Sequence, residues 1–207
     1  MNLECFDIYN ENMEHIGTEL RTVVHKTGLW HKSFQCWFIF EENGKYYMLF
    51  QKRHTDKDTY PNLLDITSAG HLSAGEKVED GVRELKEELG IKIKFEELIP
   101  LGVIIEKKSE ESFEDNEFAN IFLYICNTPM EEFRLQAEEV TGMFKADIDD
   151  VINLFSDKVR NIKIEGYDVN EKGIKIFSKI IASKNDFVPH GEEYYLKILS
   201  EAKKCFN

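Results

Sequence analysis

Three glutamates define the chemistry this sequence can offer. Glu84, Glu87 and Glu88 stand at i, i+3 and i+4, so on a helix their carboxylates share one face. Asp80, four residues before Glu84, extends the same edge. Like charges at these spacings destabilise an isolated helix by roughly 0.2–0.5 kcal/mol per pair. Clustered carboxylate oxygens after the glycine-bearing run Gly70-His-Leu-Ser-Ala-Gly-Glu76 suit a hard divalent cation, which neutralises them and bridges phosphates. A solvated acidic face accounts for the same spacing. The glutamates alone leave both readings open.

The apolar residues say how such a helix is held. Val78, Val82, Leu85 and Leu89 recur at four, three and four, which is one buried stripe. Gly90 stands where a left-handed cap is wanted, so a helix is predicted over residues 78–89. Upstream, residues 6–16 read as a hairpin. A second hairpin joins residues 33–40 and 46–51 across Glu41-Glu42-Asn43-Gly44, whose Asn-Gly favours a turn with positive φ. A polar loop at 53–62 and a short strand at 65–67 follow. Further strands are predicted at 98–107, 118–127 and 140–146, with the charged stretch 108–116 read as a loop. Helices are predicted from Asp147, over 170–184 and over 191–205. The order of elements indicates an α/β fold, a mixed sheet flanked by helices.

Charge and composition narrow the function. The chain has 207 residues, 42% of them hydrophobic, and a net charge of −13. Such a surface repels phosphodiester backbones and anionic membranes, which excludes a nucleic-acid polymer or a membrane as the expected partner. No apolar run is long enough to span a bilayer, and the first residues are acidic where a secretory signal is basic and then apolar. Cys5, Cys36, Cys126 and Cys205 are too scattered for a zinc ribbon or a disulfide scaffold. Reduced thiols in a cytoplasmic protein are expected.

The flanks of the glutamates complete a longer pattern. Gly70, five residues, Glu76, a spacer and then Arg83-Glu84-Leu85-Lys86-Glu87-Glu88-Leu89-Gly90-Ile91 closely resembles the signature of the Nudix hydrolases. Val24-His25, His31, Gln51-Lys52-Arg53, Asp58-Thr59-Tyr60-Pro61-Asn62 and Asp65 to His71 resemble the branch related to isopentenyl-diphosphate isomerase. The resemblance covers residues 5–155 or so. It implies one Nudix domain with an N-terminal extension at 1–28, a core at 29–155 and a helical extension at 156–207. The six residues from Lys77 to Val82 are one fewer than the family's usual spacer. The stripe counted back from Leu85 places that deletion in the turn after Glu76. The family's pairing of this glutamate with Arg83 is left open.

The resemblance also implies roles. Glu84, Glu87 and Glu88, with the Gly70 carbonyl and Glu117, match positions that bind Mg²⁺ or Mn²⁺, and Glu84 and Glu117 match candidate bases. His25, His31, His71 and Asp115, with Glu117, match a second metal set in the isomerase branch. Arg21, Arg53 and Lys57 match cations that hold the diphosphate of a small-molecule substrate. The isomerase's cysteine before the Gly-His pair is Ala69 here, so a pyrophosphohydrolase acting on a nucleoside diphosphate–X substrate is expected rather than an isomerase. A non-catalytic nucleotide-binding module is disfavoured, because the glutamates are retained. Loops 53–62 and 106–116 are expected to carry specificity. Trp30, Trp37, Phe113 and Phe118 are available to stack on a base, with core packing the blander role. A homodimer is left open.

Overall fold

The computed structural model describes residues 4–110 and 113–206. Strands β1 (Cys5–Tyr9) and β2 (His15–Leu20) form the N-terminal hairpin, and helix α1 (Arg21–Thr27) follows it directly. Strands β3 (His31–Glu42) and β4 (Lys45–Arg53) form the second hairpin, turning through Asn43 and Gly44, both at positive φ. Short strands β5 (Leu64–Asp65) and β6 (Ser68–His71) come next, then α2 (Val82–Leu89). Strands β7 (Ile99–Glu110), β8 (Phe113–Ile125) and β9 (Val140–Asp147) lead to α3 (Ile148–Phe155), which Asp147 caps by accepting from the Asp149 N–H. Strands β10 (Ile162–Val169) and β11 (Lys175–Ala182) and helix α4 (Glu192–Lys204) complete the chain.

The main sheet runs β11-β10-β9-β4-β3-β8-β7, with β5 against β4 and β6 against β3. Only β3 and β8 pair in parallel among its described ladders, so the sheet is mixed, as expected. Alternation along β3 divides the core. Phe34, Cys36 and Phe38 pack with Leu85 and Leu89 of α2 on one face. Trp37 and Ile39 pack with α3 and α4 residues such as Val151, Tyr195 and Ile198 on the other. Nearer its start, the second face is polar, carrying His31, Ser33 and Gln35, all buried.

Three expectations need correction. The glutamate helix opens as a 3-10 turn, Val78–Gly81, before α2 begins, and Val82 is only half-buried. A 3-10 turn rises ~2.0 Å per residue against ~1.5 Å in an α-helix, so fewer residues span the same distance. The short spacer is therefore absorbed inside the first turn, not before it. Residues 170–184, expected as a helix, hold β11 instead. Ile174, Phe177 and Ile181 imitate a helical stripe, yet all three are exposed near or along an edge strand. The extension at 156–207 is thus a hairpin followed by a helix. Finally, the charged stretch 108–116 belongs mostly to the β7–β8 hairpin. Its charge hid the strand because polar groups here face inward: Asp115 is buried, as are Glu106 and Glu117 on either side of the stretch.

Candidate active site

Strand β6 organises the site through its two-residue period. Ser68 and Gly70 point toward the α2 side, and Ala69 and His71 toward the other. On the α2 side, Glu88 accepts from Ser68 Oγ at 2.6 Å and from the Ala69 N–H at 3.3 Å. Glu84 lies directly over Gly70, where an ideal Cβ would be 2.1 Å from Glu84 Oε1. Burial pushes the Glu84 carboxyl up to about 7, against the pull of Arg83, and pushes Glu88 up to about 8, against that of Ser68. One buried and one half-buried carboxylate with so few donors suit a cation, and this donor set fits Mg²⁺ or Mn²⁺.

Arg83 ties the helix to the turn before it. It donates to Glu76 through Nε at 2.6 Å and Nη2 at 3.0 Å, so the pairing left open by the short spacer is made. Nη2 also reaches the His71 carbonyl at 3.1 Å, and Nη1 lies 2.7 Å from Glu84 and 3.1 Å from Glu87. Glu87 is more than half exposed, so Arg83 stands between the helix acids.

On the opposite face of β6, the second candidate set closes up tightly. One ligand atom from each of His25, His31, His71 and Asp115 lies within 4.8 Å of every other. Among the described residues this is the one histidine-and-acid group assembled so closely. His31 Nε2 and Asp115 Oδ1 are buried and approach to 3.3 Å without a well-formed hydrogen bond. His71 Nε2 lies 2.8 Å from Glu117 Oε1, and Ser33 Oγ donates to Glu117 Oε2 at 2.9 Å. Burial alone would raise the Glu117 carboxyl, but the His71 imidazole holds it well below the usual range. Burial lowers His25 to about 4, which keeps its imidazole neutral and available as a ligand. Imidazoles with carboxylates fit Mn²⁺, Fe²⁺ or Zn²⁺.

A cavity of about 400 Å³ opens beside β6. Of the expected residues, Arg21, Arg53, Lys57, Gly70, His71, Asp115 and Glu117 line it. The helix glutamates, His25 and His31 are not among its lining residues. Arg53 donates to the Thr59 carbonyl and hydroxyl and to Asp65 at 2.8 Å, which pins the 53–62 loop. Lys57 is paired with Glu139, and Arg21 with Glu4. Trp37 and Phe118 are core residues and Trp30 stacks on Phe118, so none of the three lines the cavity; the Phe113 side chain lies outside the described residues.

Sequence reasoning missed the far wall. His190, from the segment before α4, reaches Glu106 through Nδ1 at 2.7 Å and Asp65 through Nε2 at 2.8 Å. Burial and the Lys108 charge oppose its protonation, yet the two carboxylates outweigh them and raise its pKa. Lys108 also lines the cavity, from the strand between. A signal did exist: Glu106 pairs with Glu117 and Lys108 with Asp115 across the hairpin, putting four charges on one face. His190 carried none, as a lone histidine after a proline.

An acidic helix, an oxygen-rich strand and a cavity bearing cations on one mixed sheet define the class, an enzyme of phosphoanhydride chemistry. The chain belongs to the Nudix family: the NUDIX domain matches residues 29–163, and the family's enzymes hydrolyse pyrophosphate bonds. An uncharacterized Nudix hydrolase of Clostridium acetobutylicum is 43% identical over 96% of this chain and 97% of its own length. An isopentenyl-diphosphate Delta-isomerase of Aliivibrio fischeri is 33% identical over 66% of this chain and 76% of its own. A crystal structure from Deinococcus radiodurans shares the fold at a TM-score of 0.52 and 17% identity, covering 74% of this chain and 90% of that one. No described helix is long and apolar enough to cross a membrane.

Proposed function

We propose that this chain is a metal-dependent pyrophosphohydrolase that cleaves the diphosphate linkage of a nucleoside diphosphate–X small molecule. The observation that carries this reading is the seating of Glu84 on Gly70 and Glu88 on Ser68, which sets a half-buried and a buried carboxylate against the strand beside the cavity. Glu84, Glu87 and Glu88, the Gly70 carbonyl and Glu117 would hold Mg²⁺ or Mn²⁺. When bound, the ion neutralises phosphate oxygens and acidifies water. The side chains do the rest. Glu84 or Glu117 takes the proton of the attacking water, Arg21 and Lys57 face the diphosphate, and Arg53 holds the loop that carries Lys57.

The domain boundaries belong to the same proposal, with a core at 29–155 and extensions that lend Arg21 and His190 to the walls. So do a cytoplasmic setting, supported by the buried thiols Cys36 and Cys126, and a homodimer, for which the exposed apolar strand β11 is the candidate surface. Light scattering tests the last point.

The tight His25–His31–His71–Asp115 group favours a second reading, an isomerase-like activity. Against it, Ala69 lines the cavity where the isomerase branch carries its thiol. The deciding experiment is a screen of nucleoside diphosphates and triphosphates, sugar nucleotides, dinucleoside polyphosphates and isopentenyl diphosphate, with Mg²⁺ or Mn²⁺. Cleavage of a diphosphate linkage is expected from at least one. Turnover of none, by folded protein, would remove the hydrolase reading.

A further inference from the structure

We propose that Lys108 is a substrate-binding residue whose ammonium takes a phosphate oxygen of the diphosphate, in the part of the cavity walled by β7 and the segment before α4. The inference rests on the hydrolase reading above and adds a contact that the glutamate motif does not contain.

The cations of the cavity differ in what they have left to give. Arg53 spends Nε and both terminal nitrogens on Thr59 and Asp65. Lys57 is hydrogen-bonded to Glu139, and Arg21 to Glu4. Both ring nitrogens of His190 face carboxylates. Lys108 differs in making none of these bonds. Its nearest ion-pair partner, Glu106 Oε1, is 3.7 Å away, beyond hydrogen-bond range, and no described residue accepts a hydrogen bond from its ammonium. That leaves three donors on a largely buried side chain beside the cavity.

Glu106 is prevented from closing the gap. Its Oε1 faces His190 Nδ1 at 2.7 Å, and its Oε2 accepts from Gln35 Nε2 at 2.7 Å. Gln35 Oε1 in turn accepts from the Tyr194 hydroxyl at 2.6 Å, and that hydroxyl accepts from Trp37 Nε1 at 3.1 Å. This relay anchors the carboxylate to the core. Lys108 is thus compensated as a charge, by Glu106, Glu117, Asp65 and Asp115, without a hydrogen-bonded acceptor among the described residues. An ammonium on the cavity wall whose donors are not committed to the protein is free to take an acceptor from a bound molecule. A phosphate suits this position, since it presents several anionic oxygens to a point charge.

The test uses the full chain with inorganic pyrophosphate as the probe, in calorimetric titrations with and without Mg²⁺, on wild type, Lys108→Met and Lys108→Arg. The methionine variant should bind about tenfold to a hundredfold more weakly, the range for one hydrogen bond to a charged group. The arginine variant should recover most of that loss. A purely charge-balancing lysine would lower the melting temperature and leave pyrophosphate affinity unchanged. That result, or wild type that binds no pyrophosphate, overturns the proposal. If Lys108→Met does not fold, Lys108→Gln keeps two donors without the charge and is read the same way, with weaker binding expected. The substrate screen decides the hydrolase reading separately. Binding that depends on Lys108 in a protein that cleaves nothing would remove only that reading, and cleavage with KM and pyrophosphate affinity unmoved by Lys108→Met would remove only this one.

Discussion

Glu84 occupies the space that a side chain at position 70 would need: a Cβ on Gly70 would lie 2.1 Å from Glu84 Oε1 and 2.3 Å from its Cδ. A β-carbon at position 70 would therefore displace the Glu84 carboxylate from the strand. Because the displaced atoms are the far end of a flexible side chain, Gly70→Ala should cost the fold little, about 1 kcal/mol or less. Glu84 would have to swing away. A displacement of about 1 Å in a positioning group costs on the order of 10²-fold in rate. Steady-state kinetics beside a thermal melt checks that activity falls while stability holds.

Replacing Glu87 and Glu88 together by glutamine tests the helix carboxylates. Size and helix propensity barely change, so the variant should fold. Hydrolysis should drop at least about a hundredfold, as for loss of preorganised electrostatic stabilisation. Added Mg²⁺ should raise the melting temperature of wild type only. Equal activity in the double variant at saturating Mg²⁺ contradicts the assignment.

Glu88 should also leave a mark on stability. Its carboxyl is raised to about 8 in the folded chain, so the folded state keeps a proton that the unfolded state releases near pH 4.5. Without metal, the contribution is present at low pH and lost as pH rises through about 8. Urea melts from pH 5 to 9 in chelator should show that decline, and Glu88→Gln should flatten it.

His190 behaves differently because it sits between two acids. Its raised pKa contributes stability that is full below about pH 6.5 and lost as pH climbs through the folded value. Asp65, held low by His190 and Arg53, contributes stability above about pH 3.9, lost as pH falls through its depressed value. The pair is strongest between those limits. His190→Gln removes the charge between two buried carboxylates and should cost about 3–5 kcal/mol near pH 6. Chemical denaturation at pH 6 and pH 9 measures it, with a smaller difference expected at pH 9.

Isopentenyl diphosphate should emerge unchanged. Ala69 lines the cavity beside Gly70 and His71 and has no proton to transfer. Dimethylallyl diphosphate formed at an enzymatic rate would overturn this expectation.

The sequence by itself determined the local features. The stripe of Leu85 and Leu89, the Gly90 cap and the Asn43-Gly44 turn are encoded in neighbouring residues, and each formed. The candidate set His25, His31, His71, Asp115 and Glu117 was legible through family resemblance, although its members come from four elements. Only the tertiary structure decided that this set closes within 4.8 Å for its three histidines and Asp115, while Arg83 stands among the helix acids. It also decided that β11 is a strand, because pairing with β10 along its whole length outweighs an apparent helical stripe with nothing to bury it. Most of all, it decided the far wall. Nothing near His190 in sequence announces Asp65 or Glu106, which lie 125 and 84 residues away. A buried charge is tolerated only where its partners converge, and that convergence is a property of the folded chain.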